Sequence, residues 1–245
     1  MGRKSRARAL AVWVNGTRAG EWRIPARGDM EFQYERAWAE SEVGRPLSLS
    51  LPPSLDNAPI RGKPVDSYFD NLLPDSDPIR QRLQRQFHTA SRSSFDLLAA
   101  IGRDCVGAVQ LLSPDQPAPD IRAINAKPLT DTAIEAALVQ TVSPVSFGAS
   151  GADDDFRISI AGAQEKTAFT WHNGRWCRPR AATPTTHIFK LPLGLIGGMR
   201  ADMRDSVENE WLCARILGAY GLPIANCVIG QFGSQKVLIA YSAPR

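Results

Sequence analysis

Between residues 157 and 241 the chain offers six short runs rich in β-branched or aromatic residues, at 157–160, 167–171, 176–179, 187–191, 227–232 and 236–241, each closed by turn residues. Runs this short suit strands rather than helices. One stretch among them reads as a helix. Asp205-Ser206-Val207-Glu208 has the D-x-x-E spacing of a helix start, with Glu208 as the capping residue, and Val207, Trp211, Ala214 and Leu217 continue it as an apolar stripe. This part of the chain is expected to be α+β, a mainly antiparallel sheet with one helix.

The first part reads differently. Segments 9–14 and 18–24 flank Asn15-Gly16, a strong local signal for a tight hairpin turn, so the chain is expected to open with a β-hairpin. Val65 to Leu73 and Ile79 to Phe87 then suit helices separated by Pro74 and Pro78. Phe95, Leu97, Leu98 and Ile101 make a third apolar stripe closed by Gly102, and Val106 to Leu112 suits a strand. Residues 113–128 carry Pro114, Pro117, Pro119 and Pro128 with little periodicity, which favours an extended connector. The division expected is a β-hairpin/helix subdomain over 1–112, a linker over 113–128 and a second domain over 129–245, the last beginning with a helix near 130–139.

Composition narrows the function classes. A formal net charge of +4 is too small to argue for nucleic-acid binding, and Arg3, Lys4, Arg6 and Arg8 read as a solvated terminus. The four cysteines form no C-x-x-C pair, so reduced thiols and a cytoplasmic setting are expected. No apolar run approaches the roughly 18 residues that span a bilayer, which points away from a membrane. Asp153-Asp154-Asp155 is the densest acidic run and reads as a solvated loop rather than a metal site.

Two features could carry chemistry. Ala161-Gly162-Ala163 is a small-residue turn between two expected strands, where backbone N–H groups can approach a phosphate closely. It also suits an ordinary hairpin, and it is no Walker A loop, because the second glycine before Lys166 is missing. Lys190 lies in His187-Ile188-Phe189-Lys190-Leu191, where strand alternation sets it opposite Phe189 and Leu191. A strand lysine followed by a glutamate-bearing helix is the order of a kinase small lobe, in which the lysine holds phosphates and pairs with a helix glutamate. Glu210 is the candidate partner.

Three long segments carry a family resemblance: 155–167, 183–190 and Ser206-Val207-Glu208-Asn209-Glu210. They resemble motifs of HipA, the kinase toxin of bacterial type II toxin–antitoxin pairs, and 45–52, 69–75 and 101–109 resemble its N-terminal subdomain. The resemblance covers roughly residues 9 to 239. It implies a kinase-like small lobe after the N-terminal subdomain and ATP- and Mg²⁺-dependent phosphorylation of a protein serine or threonine. It also implies neutralisation by a HipB-like helix-turn-helix antitoxin that binds operator DNA. Carried over residue by residue, it implies nucleotide contacts at Val106, Ile160, Ala161, Gly162, Ala163 and Lys190, the partner role for Glu210, and autophosphorylation at Ser159.

The sequence departs from the family after Ile239. The family continues with a V-E-R-F-D-R hinge and a helical lobe, whereas this chain reads Ala240-Tyr241-Ser242-Ala243-Pro244-Arg245. The D-G-H-x-K-N segment and the Mg²⁺-binding aspartate have no counterpart; His88, His172 and His187 are the only histidines. Arg103-Asp104 matches a non-catalytic stretch of the family and reads as structural. The expectation is a truncated HipA-type chain with no catalytic or metal-binding residues of its own, inactive alone. The alternative is a non-enzymatic module that binds an antitoxin or a full-length kinase.

Overall fold

The computed structural model describes residues 8–105, 108–142, 161–162, 164–180, 182–196 and 200–242. These fall into two compact units. The first runs to Ile121 and takes in Ala161 and Gly162; the second is built from residues 122–142 and from 164 onward.

The first unit begins with strands β1 (Arg8–Val14) and β2 (Thr17–Ile24). Asn15 and Gly16 between them have φ of 50° and 76°, the two left-handed positions that a two-residue hairpin turn requires. Then come β3 (Glu31–Tyr34), α1 (Arg36–Ala39), β4 (Ile60–Arg61), α2 (Lys63–Asp70), α3 (Asp77–Phe87), α4 (Ser94–Ile101) and β5 (Val109–Leu112). The strands form one antiparallel sheet in the order β4-β3-β2-β1-β5. Its inner face supplies Trp22, which stacks on Phe69 of α2 with ring centroids 3.9 Å apart and planes within 7°. Phe32, Leu97, Leu98 and Ile101 complete the buried core. Residues 40–59 carry no regular element, and Tyr34 holds them instead. Its hydroxyl donates to the Leu51 carbonyl at 2.6 Å and accepts from the Leu47 N–H at 2.8 Å.

Two expectations here need correction. The last strand begins at Val109 rather than Val106, because Ala108 has φ of 64° and cannot continue a strand; Val106 and Gly107 lie outside the described residues. Pro78 does not separate helices: it sits in the first turn of α3, where its missing N–H leaves no helix hydrogen bond unmade.

The second unit contains β6 (Ala126–Pro128), α5 (Asp131–Val142), β7 (Lys166–His172), β8 (Arg175–Pro179), β9 (His187–Lys190), β10 (Gly194–Ile196), β11 (Ala201–Met203), α6 (Ser206–Ala219), β12 (Cys227–Phe232) and β13 (Gln235–Tyr241). Six strands make an antiparallel sheet in the order β12-β13-β9-β7-β8-β6. Among the described residues β10 and β11 pair only with each other. β6 lies inside the stretch expected as a connector; the Thr183 hydroxyl anchors it by accepting from Asn125 N–H at 2.8 Å. α5 lays Ile134 and Leu138, one turn apart and both fully buried, on Phe169, Phe189, Phe232 and Val237. Glu135 accepts the Ser234 N–H at 2.7 Å, and neighbouring Gly233 has φ of 54°, so the β12–β13 turn favours glycine.

The mixed helices and antiparallel sheets make the fold α+β. None of the four cysteines is in a disulfide; Cys105 and Cys177 are buried, Cys213 is exposed and Cys227 half-buried. Among the described residues no helix is long and apolar enough to cross a membrane.

Two measurements check this account of the first unit. Trp22→Ala removes a fully buried ring stacked on Phe69, so denaturant unfolding should show a loss of about 3–5 kcal/mol. Asp96, in the first turn of α4, is pushed up by burial, but Ser91, Arg8 and Ser93 together hold its carboxyl below the usual range. A depressed folded-state value gives stability that is present above the unfolded value of about 4 and is lost as pH falls through the folded one. Acid unfolding followed by circular dichroism should therefore shift in Asp96→Asn, with a flatter dependence below about pH 4.

Candidate functional site

The site is built on β9. Phe189 is fully buried, its ring edge-on to Phe169 and to Trp176 at 4.9 Å each. Leu191 beyond it is also buried. Since successive side chains of a strand point to opposite faces, Lys190 emerges on the other side of the sheet. Register sets Leu238 of β13 on one side of it and Lys166 of β7 on the other. Two lysines thus lie side by side on one face, an arrangement that favours a neighbouring negative charge.

α6 supplies that charge. The helix is seated by its first turn: Val207 is buried, and the Ser206 hydroxyl accepts the Leu193 N–H at 2.9 Å. One turn further, Glu210 forms an ion pair with Lys190, whose side chain is 24% exposed against 40% for the glutamate. The chain just after Lys190 is held from the other side, because the Gln164 amide donates to the Leu191 carbonyl at 2.7 Å and Leu191 N–H donates to Glu165 O at 3.1 Å. Lys190 is therefore fixed at its backbone and at its ammonium group.

A second pair was not foreseen. Glu208 does not cap α6: Asp205 occupies the cap position without a side-chain hydrogen bond, and the Glu208 carboxylate reaches Lys236 of β13 instead. The Lys236 ammonium holds Glu208 below the usual carboxylate range. The other Glu208 oxygen, Oε2, is buried with no hydrogen-bond partner among the described residues. The expected apolar stripe is also corrected. Val207 is buried and Trp211 and Ala214 half-buried, but Leu217 is 43% exposed.

Of the other site residues expected from sequence, Ala161 and Gly162 are described, and Gly162 has φ of 103°, a backbone state that glycine alone adopts readily. Val106, Ser159, Ile160 and Ala163 lie outside the described residues, as do Asp153, Asp154 and Asp155. On the sheet face opposite Lys190, a groove of about 260 Å³ is lined by Trp176, His187, Asn226, Cys227, Val228, Ile239 and Tyr241. His187 there hydrogen bonds through Nδ1 to Thr186 Oγ1 at 2.8 Å, and burial pushes its pKa down. Neither Lys190 nor Glu210 lines that groove. Nothing in the local sequence marks it, since it is assembled from four strands and a loop.

Comparison with known proteins places this geometry. The model of the HipA N-terminal domain matches residues 10–112, and that of the HipA-like C-terminal domain matches residues 158–241. A protein of Sinorhizobium fredii named "Putative kinase Y4mE" is 33% identical over 229 residues, which cover 89% of this chain and 50% of Y4mE. The structure of the Shewanella oneidensis HipA, HipB and operator DNA complex contains a chain that superposes with a TM-score of 0.68 at 22% identity, over 96% of this chain and 50% of that one, a likeness of fold. The chain thus spans about half the length of each relative. With both domain models matched in order and one relative 33% identical over 229 aligned residues, this chain belongs to the HipA family.

Proposed function

We propose that the Lys190 face binds the phosphates of ATP and that this chain is part of a HipA-type serine/threonine protein kinase toxin. The Lys190–Glu210 pair carries the reading. A strand lysine held by a helix carboxylate is already aimed, and it meets a phosphate without first having to be ordered. Lys166 beside it adds positive charge on the same face.

In this reading Lys190 binds and orients the phosphates, and Glu210 positions Lys190. Nucleotide contacts from Val106, Ile160, Ala161, Gly162 and Ala163, and autophosphorylation at Ser159, remain part of the proposal through the family resemblance. ATP in this family works with Mg²⁺, which offsets charge on the transferring group. Among the described residues no group of three or more His, Cys, Asp or Glu side chains gathers to hold a metal ion by itself, and none of them is assigned to Mg²⁺. No residue here is assigned as the base for an acceptor hydroxyl. This chain alone is accordingly proposed to bind nucleotide weakly and not to transfer phosphate. The partners proposed by family are a HipB-like helix-turn-helix antitoxin, through it operator DNA, and a protein substrate, in a cytoplasmic setting.

Lys190→Ala should weaken binding of a fluorescent ATP analogue about 10- to 100-fold, the loss of one charge-assisted phosphate contact of roughly 1.5–3 kcal/mol. Glu210→Gln should weaken it less, since the lysine charge survives. Equal affinity in Lys190→Ala and the unaltered chain would sink the nucleotide reading. Expression without any antitoxin should leave growth unchanged. Arrest that disappears in Lys190→Ala would show instead that this chain is an active toxin.

A further inference from the structure

We propose that the groove formed by β8, β9, β12 and β13 is a binding site for an uncharged, flat nitrogen heterocycle of one or two rings. It lies on the sheet face opposite Lys190, and the inference does not rest on nucleotide binding there. α5 covers only part of this face. Ile134 and Leu138 pack with Phe169, Phe189, Phe232 and Val237, and alternation along β9 and β13 continues the same face as His187, Ile239 and Tyr241. The His187 ring stands between two others, at 4.8 Å and 90° to Trp176 and at 5.4 Å and 77° to Tyr241. Ile239 is buried beneath the groove, while Val228 and Tyr241 are 58% and 43% exposed at its rim.

The hydrogen bonds around His187 fix which nitrogen carries its proton. Thr186 Oγ1 accepts the Trp171 N–H at 2.7 Å and lies 2.8 Å from His187 Nδ1. The other acceptor within its reach, the Phe169 carbonyl, is 3.5 Å away and already accepts the Thr186 N–H at 3.1 Å. The hydroxyl proton therefore goes to Nδ1, and the one proton of the neutral imidazole sits on Nε2. Burial pushes the His187 pKa down, which keeps that ring neutral at pH 7. Nε2–H has no acceptor among the described residues. The Asn226 side-chain amide has no partner there either; the residue is tied in by its backbone carbonyl, which accepts the Tyr241 N–H at 2.8 Å.

These groups select the ligand. No lining residue is charged at pH 7, so an ionic ligand would give up its hydration without compensation. Aromatic walls and a buried isoleucine favour a flat apolar body. The His187 donor needs an acceptor on the edge of that body, and the Asn226 amide pairs best with an acceptor and a donor side by side. A ring lactam carries both. The volume of about 260 Å³ exceeds the roughly 150 Å³ that holds one benzene ring, so two fused rings are admitted.

The test follows isocarbostyril, a neutral two-ring lactam, by ligand-observed NMR with this chain. Saturable binding is expected. Tyr241→Ala and Asn226→Ala, both at exposed positions, should each weaken it at least tenfold with the circular dichroism unchanged. His187→Phe, which keeps a ring and removes the donor, should weaken it to the same extent. Lys190→Ala should leave it unaltered, and excess ATP should not displace it. Naphthoate, equally flat but anionic, should bind at least tenfold more weakly. Absence of saturable lactam binding overturns the proposal, as does binding insensitive to both Tyr241→Ala and Asn226→Ala. Displacement by ATP would move the lactam to the nucleotide face, and naphthoate binding as tight as the lactam would remove the requirement for a neutral ligand; either result also overturns it. A dimer of this chain broken by Tyr241→Ala would give the groove to a second copy instead.

Discussion

Burial of Phe189 is the constraint on which the second unit depends. Its ring lies among Phe169, Trp176 and Phe232, with α5 closing the cluster through Ile134 and Leu138. Strand side chains alternate with a period of two, so a slip of one residue in β9 would bury Lys190 and expose Phe189. Burying a lysine ammonium without a partner costs far more than a buried phenylalanine contributes, so only one register is accessible. That register also sets Leu238 and Lys166 beside Lys190. The chemistry of one face is thus fixed by the hydrophobic packing of the other.

The interactions that aim Lys190 are weak as stabilisers. Both lysine–glutamate pairs are partly solvated, and pairs of this kind contribute between nothing and about 1 kcal/mol. Glu208 even leaves one oxygen buried and unpaired, which works against stability. Their effect is directional. Glu208 ties α6 to β13 and Glu210 ties it to β9, so the helix bridges two adjacent strands and cannot rotate without breaking one pair. Ser206, bonded to Leu193, adds a third point of attachment at the helix start.

What could be read from sequence was whatever depends on near neighbours. Asn15-Gly16 announces its hairpin because two consecutive left-handed residues are a local demand, and the position of Lys190 follows from alternation over five residues. Glu208 was misassigned because its partner Lys236 lies 28 positions away and meets it only through the register of β13. Ala108 gives no hint of its positive φ, since alanine has no preference for that state, so the start of β5 could not be placed. β10 and β11 are three residues each and lack a β-branched pattern. In α6 the sequence is apolar nearly all round, so a search for one buried stripe selects Leu217, which the fold leaves exposed. A signal from periodicity requires contrast between two faces, and this helix has none after its second turn.

That lack of contrast bears on how the site works. α6 has 14 residues, so at 1.5 Å per residue it is a rod about 21 Å long. Its attachments to the sheet gather at one end: Ser206 and Val207 are its only buried residues, and Glu208 and Glu210 follow at once. From Leu212 onward the helix presents apolar side chains outward. The sheet sets where Lys190 can be, and the anchored first turns of α6 set where Glu210 meets it.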